Sequence, residues 1–131
     1  MQVKDFQWKQ GITVKELMNQ YRNVGYQSIE LAKASEVIVK MKKNGAKIFL
    51  TFTSNMVTSG LRGFFAQLIK LKIPSVIVTT VGGIEEDIMK ANGEIFKIGN
   101  FNNDDVELNE QGINRVGNLL IQNEAYMKFE D

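Results

Sequence analysis

The sequence predicts an α/β fold built on a parallel sheet, on three observations. Ser75-Val76-Ile77-Val78-Thr79-Thr80-Val81 is a short, uncharged, β-branched run, the composition of a strand buried on both faces of a parallel sheet. Gly82-Gly83 and then Ile84-Glu85-Glu86-Asp87 follow at once, so the strand empties through a glycine turn into a helix with Ile84, Ile88 and Ala91 on one face. Strand-length apolar runs alternate with helical patterns along the chain, which predicts right-handed crossovers between parallel strands.

Taken in order, Met1 to Gly11 is a polar lead-in whose Phe6 and Trp8 are expected to anchor on the domain edge. Thr13-Val14-Lys15-Glu16 is a capping box, with Ile12 and Leu17 placed as a hydrophobic staple. Its helix is expected to bury Val14, Leu17, Met18, Tyr21 and Val24 and to stop at Gly25. A second helix, from about Ser28 to Lys43, carries Leu31, Ala34, Ile38 and Met41 as its expected inner stripe. Lys40, Lys42 and Lys43 suit its C-terminal end through the dipole and read as a solvated face.

Ala46 to Thr53 reads as the first buried strand, through Ile48, Phe49, Leu50 and Phe52. The hydroxyl- and amide-rich Ser54 to Gly60 leads into a helix with Leu61, Phe64, Phe65, Leu68 and Ile69, ending near Lys72. Pro74 lies in the connection to the second strand. The helix after Gly82-Gly83 runs to about Asn92-Gly93, and Glu94 to Ile98 reads as a third strand. A polar turn over 99–103 and a short helix capped by Asp104 come next. Gly112 to Asn118 reads as a shaped loop before Leu119-Leu120-Ile121, and Asn123 caps a last amphipathic turn, Glu124 to Phe129. No repeat, low-complexity segment or linker interrupts the 131 residues, so a single α/β domain over 1–131 is expected.

Composition narrows the chemistry. Hydrophobic residues make up 44% and charged residues 24%, ordinary for a globular domain, and a net charge of +1 with mixed signs gives no basic face for nucleic acid. No apolar run approaches the roughly 18 residues a membrane span needs, and no secretory leader is evident, so a cytoplasmic protein is expected. With no cysteine and no histidine, this chain has no disulfide, no thiolate zinc site and no Ser-His-Asp or Cys-His nucleophile. No metal site is expected. Any chemistry must use carboxylates, lysines, hydroxyls or a partner.

Two loops should share one crevice at the carboxyl edge of adjacent strands, where open α/β sheets bind ligands. Ser54, Asn55, Thr58 and Ser59 offer donors and acceptors to ribose, amide or phosphate oxygens; the plainer reading is that Thr58 or Ser59 caps the next helix. Glu85, Glu86 and Asp87 would repel a phosphate and attract a cation; their plainer reading is acidic residues in a first helical turn. Neither G-x-G-x-x-G nor G-x-x-x-x-G-K-[ST] is present. The residues alone lead to a nucleotide-type crevice with an acidic lip, suited to something cationic beside a nucleotide.

Four segments in register carry a resemblance. They are Thr53-Ser54-Asn55-Met56-Val57-Thr58-Ser59-Gly60-Leu61-Arg62, Val78-Thr79-Thr80-Val81-Gly82-Gly83-Ile84-Glu85-Glu86-Asp87, Gly112-Ile113-Asn114-Arg115-Val116-Gly117-Asn118 and Asn123-Glu124-Ala125-Tyr126-Met127-Lys128-Phe129-Glu130-Asp131. In order and spacing they resemble deoxyhypusine synthase, from about Val3 to the last residue. The resemblance implies a Rossmann-like parallel sheet with helices on both faces, here incomplete, in a tetramer of paired subunits. It implies oxidation of spermidine by NAD and transfer of its aminobutyl group, through an enzyme lysine imine, to a lysine of the translation initiation factor 5A precursor. On the same basis Ser54, Asn55, Met56, Val57, Thr58, Thr80, Val81, Gly82 and Glu86 line NAD, while Glu85 and Glu86 face spermidine.

Two departures accompany the match. Val81 stands where the family commonly has a small residue, which would crowd the cofactor. The chain ends where a family member is not yet half complete, so the family's catalytic lysine has no counterpart here and no catalytic residue is named. The expectation is therefore half of a split synthase that needs a C-terminal half chain, or a full-length relative, carrying that lysine. The alternatives are a non-catalytic regulatory subunit of a full-length relative, a homospermidine-type synthase with a small amine as acceptor, and a standalone NAD-binding module.

Overall fold

The computed structural model describes residues 2–130 in two compact units, the first reaching Ile48 and the second starting at Phe49. In the first unit, α1 (Val14–Tyr21) starts at the capping box: the Glu16 N–H donates to Thr13 Oγ1 at 3.2 Å and the Thr13 N–H to Glu16 Oε2 at 2.8 Å. The helix ends at Tyr21 rather than Gly25, and the chain reverses through Tyr26, which takes a left-handed φ of 57°. Val14, expected inside, is 75% exposed, while Leu17, Met18, Tyr21 and Val24 are half-buried. Phe6 packs tilted on Tyr21 with centroids 6.2 Å apart, whereas Trp8 is 74% exposed rather than anchored on the domain edge.

The next helix, α2 (Gln27–Lys43), corrects the expected stripe. Leu31, Ala34 and Ile38 are exposed, whereas Ala32 is buried and Ile29, Ser35 and Glu36 are half-buried. Apolar residues lie on several sides of α2, so its pattern does not choose an inner face. Small Ala32, and the Arg22–Glu36 ion pair at 2.5 Å, go with the face turned to α1.

In the second unit, β1 (Phe49–Phe52) and β2 (Val76–Thr79) pair in parallel, Phe49 opposite Val76 and Phe52 opposite Thr79. Both strands are shorter than expected and neither is buried on both faces. Leu50, Phe52, Ile77 and Thr79 are half-buried, while Phe49, Thr51, Val76 and Val78 are exposed. The covered face receives the helices that follow. After α3 (Ser54–Met56) and a wide π-helical turn over Val57–Leu61, α4 (Arg62–Lys70) brings Phe65 onto Phe52, rings stacked at 3.8 Å and 7°.

The crossover helix α5 (Val81–Ala91) begins directly after β2, so Gly82 and Gly83 lie inside its first turn rather than in a turn before it. They are needed for closeness, not for positive φ. A Cβ on Gly82 would sit 3.1 Å from Ser54 Cβ, and one on Gly83 would sit 2.8 Å from Thr79 Oγ1. Thr79 is β-branched, stiff and buried at that hydroxyl, so it has little room to yield. Gly83→Ala is expected to destabilise the chain by about 1–3 kcal/mol through overpacking. Denaturant unfolding checks this; an unchanged midpoint would show that Thr79 yields.

The expected apolar face of α5 is also corrected. Ile84 is 57% exposed and Ile88 and Ala91 are exposed; the helix buries Gly83, Glu86 and Met89 instead. Met89 joins Ile121 and Ala125 in a core flanked by Phe96, Val116 and Tyr126. This core comes from a second sheet. The third strand, β3 (Lys97–Ile98), does not extend the parallel sheet but pairs antiparallel with β5 (Leu119–Gln122), which pairs antiparallel with β4 (Ile113–Val116). The expected loop over 112–118 is thus strand β4 and a tight turn with Gly117 at φ 63°. Before it lies α6 (Asp105–Glu110), capped by Asp104, whose carboxylate accepts from the Val106 N–H at 2.8 Å. Beyond the hairpin, α7 (Asn123–Glu130) packs on α5.

Candidate functional site

Parallel pairing of β1 and β2 sends both chains out of the same sheet edge, and there the two expected loops meet. The Ser54 N–H donates to Thr80 Oγ1 at 3.0 Å, tying the start of α3 to the start of α5. Thr80 is the N-cap of α5 but makes no side-chain cap, because its hydroxyl is engaged across the gap by Ser54. The Gly83 N–H donates to the Thr80 carbonyl at 2.9 Å, and no side chain caps the Val81 and Gly82 N–H groups. Thr53 donates its hydroxyl to the Asn55 side-chain carbonyl. A shallow depression lined by Thr51, Phe52, Thr53, Met56, Val78, Thr79 and Thr80 opens at this edge. Val81 stands at its side, 80% exposed.

Behind that edge sits a buried carboxylate. Glu86 is 8% exposed and accepts a hydrogen bond from the Thr58 hydroxyl, itself 3% exposed. Neither Thr58 nor Ser59 caps α4, whose N-cap is Leu61; Ser59 Oγ donates to the Met56 carbonyl at 3.0 Å. Burial pushes the Glu86 carboxyl above the ordinary carboxylate range. The Thr58 hydrogen bond and the Lys90 charge pull it back, and neighbouring Glu85 adds to the rise. Burial also lowers the Lys90 ammonium, which Glu86 partly restores. The Tyr126 phenol is raised by burial and then by Glu86 and Glu85, so α7 faces the same acidic pair.

The acidic lip is therefore divided. Asp87 leaves it for an ion pair with Arg62 at the start of α4. Glu85 is half-buried beside Glu86, and Glu86 is inside. The first-turn reading of these carboxylates fails because α5 begins at Val81 and carries no acid in its first turn. Val57 and Thr58 are buried, with their carbonyl oxygens held by Lys90 Nζ at 2.8 and 3.0 Å. Ser54, Thr80 and Gly82 converge at the edge; Asn55, Met56 and Val81 are exposed around it. Lys90 and Tyr126 join the site beyond the residues that the sequence points to. Lys90 is four residues after Glu86, a spacing that puts both on one helical face and could have pointed to it. Nothing in the sequence places Tyr126 there. Among the described residues no cluster of three or more metal-ligating side chains occurs, and no helix is long and apolar enough to cross a membrane.

The profile of the deoxyhypusine synthase family matches residues 16–131. The chain belongs to this family. It is 40% identical over 132 residues to the probable deoxyhypusine synthase of Schizosaccharomyces pombe, a match that covers 92% of this chain and 37% of that protein. The Thermococcus gammatolerans relative is 41% identical over 123 residues, covering 90% of this chain and 36% of its own length. The crystal structure of an Entamoeba histolytica deoxyhypusine synthase homologue superposes with a TM-score of 0.52 at 38% identity, over 70% of this chain and 38% of that one. The chain thus spans a little over a third of the length of these relatives, and the matched third contains the whole edge just described.

Proposed function

We propose that this chain is the NAD- and spermidine-binding part of a deoxyhypusine synthase, which passes the aminobutyl group of spermidine to a lysine of the translation initiation factor 5A precursor. On this reading it works only with a C-terminal half that supplies the rest of the family's fold and its catalytic lysine, in a cytoplasmic oligomer, a tetramer of such units. Family membership supports the reading, and one observation carries it: a buried carboxylate, Glu86, held by the Thr58 hydroxyl beside an uncapped helix start. A buried carboxylate is costly unless something cationic meets it. A polyamine is such a partner, and it gains charge-assisted hydrogen bonds by leaving water there.

The residues present fit a dinucleotide. The close approach of Gly82 to Ser54 keeps the edge free of a Cβ, and the Val81 and Gly82 N–H groups at the uncapped start of α5 suit a phosphate. Ser54, Asn55, Met56, Thr80, Val81 and Gly82 would hold it, with Val57 and Thr58 shaping the turn from behind and Glu86 bordering both ligands. Bound there, NAD supplies the hydride acceptor for polyamine oxidation. Glu85 and Glu86 orient the amine through their charge.

A pH dependence follows from the raised Glu86 carboxyl. Polyamine binding needs it ionised, so affinity is expected to rise with pH through the raised value and then level off. Stability runs the other way. The folded pKa lies above the unfolded one, so the protonated form stabilises the fold at low pH, and that contribution is lost as pH rises through the folded value. Calorimetric titration with spermidine from about pH 5 to about pH 8 checks the first trend; a flat profile would remove Glu86 from the polyamine site.

The test of the proposal as a whole is spermidine-dependent reduction of NAD by the assembly purified from its own source, with native mass spectrometry naming its chains. Turnover with a second chain that carries the lysine motif supports the split synthase. No turnover, and no binding of either ligand, overturns it.

A further inference from the structure

Lys90 carries an interaction that the residues lining the edge do not explain. Its ammonium donates to the carbonyl oxygens of Val57 and Thr58 at 2.8 and 3.0 Å and lies 4.6 Å from the centroid of the Phe96 ring. Gly60, at φ 105°, breaks the helix within the Val57–Leu61 turn, so regular helical bonding cannot run on through it. A lysine with three donors and a flexible stem can serve two divergent carbonyls at once. In doing so it spends its ammonium on the turn, and Glu86 is left with a neutral hydroxyl and no ion-pair partner among the described residues.

We infer that Lys90 is a positioning residue: by clamping the Val57 and Thr58 carbonyls it holds the Thr58 hydroxyl on Glu86 and leaves the charge of that buried carboxylate for a cation to meet. The inference rests on the polyamine reading above. It goes beyond it in assigning the geometry of Glu86 to a residue one helical turn away that touches neither ligand. The edge that would hold NAD is fixed separately, by the bond between Ser54 and Thr80. The two ligands should therefore respond differently when Lys90 is changed. The charged and titratable groups around Glu86 are Glu85 and Lys90 on its own helix and Tyr126 from α7, with Arg62 acting on Lys90.

The experiment compares Lys90→Met, Lys90→Arg, Thr58→Val and the double variant Lys90→Met with Thr58→Val in the active assembly. Lys90→Met should raise KM for spermidine about tenfold while KM for NAD changes by no more than about threefold. The acid limb of kcat/KM for spermidine should move to higher pH, because a cation that favours ionised Glu86 is gone. Lys90→Arg should restore most of the affinity. Thr58→Val should reproduce the loss, and the double variant should be no worse than either single one, as expected of residues acting through one geometry. Equal changes in both KM values, an unshifted acid limb, or additive losses would overturn the inference. If Lys90→Met does not fold, Thr58→Val decides alone: an unchanged KM for spermidine is then fatal to it. Glu86→Gln separates the two levels. If that variant retains spermidine turnover, the polyamine reading itself fails; if it is inactive while Lys90→Met behaves as wild type, only the role of Lys90 fails.

Discussion

Glu86→Gln is expected to lower kcat/KM for spermidine by about 30-fold to several thousand-fold, the equivalent of about 2–5 kcal/mol for removing one member of a buried charge pair. The substitution keeps the shape of the side chain and keeps an oxygen to accept from Thr58, so the local packing survives. Only the charge is lost. The fold should not suffer: burial already disfavours the ionised form of Glu86, so a neutral amide relieves a cost. The melting temperature should stay level or rise while activity falls, the pattern of a site held against stability for the sake of a ligand. Steady-state kinetics beside a thermal melt reads both. A variant that loses activity and stability together would instead make Glu86 a structural carboxylate.

The second large effect concerns assembly. Phe49 is 66% exposed, Val76 38% and Val78 52%, all on one face of a parallel sheet that has two strands among the described residues. Such a face and such open strand edges are not left to water in a stable domain. These residues alone are expected to self-associate on concentration, or to melt well below their complex with whatever covers that face. At 100 to 1,000 times Kd a partner adds about 2.7–4.1 kcal/mol, which for a domain of this size raises the melting temperature by about 10–20 °C. Sedimentation across a dilution series and a melt with and without the partner give the numbers. A dilution-resistant monomer whose melting point ignores the partner would show that this face is covered within the chain itself.

Much of the site could be read from the residues because its parts are local. Thr13 and Glu16 form their box within four residues, and Asp104 caps α6 within three, so neither depends on distant packing. The convergence of Ser54 and Thr80 follows from parallel strands, whose carboxyl ends share an edge. The acidic run was legible as a run, but not its division. Whether Asp87 pairs with Arg62, and whether Glu86 turns inward to Thr58, depends on residues 25 and 28 positions away. The hydroxyl of Thr58 was open to being a helix cap or a ligand contact; only its placement against Glu86 distinguishes a third role.

By itself the sequence determined the family, the α/β class, most of the helices and the two motifs that meet at one sheet edge. Each of these is written in short-range pattern, glycine placement and capping chemistry. The tertiary structure decided which face of α2 and of α5 turns inward, that Lys97 and Ile98 join an antiparallel hairpin rather than the parallel sheet, and that Lys90 clamps the turn bearing Thr58. The reason is common to all three. A helical or strand period marks candidate faces on an element, and only the surface it packs against selects among them. On α5 that surface is the hairpin core around Ile121, which takes Met89 and so carries Glu86, one turn earlier on the same face, into the interior.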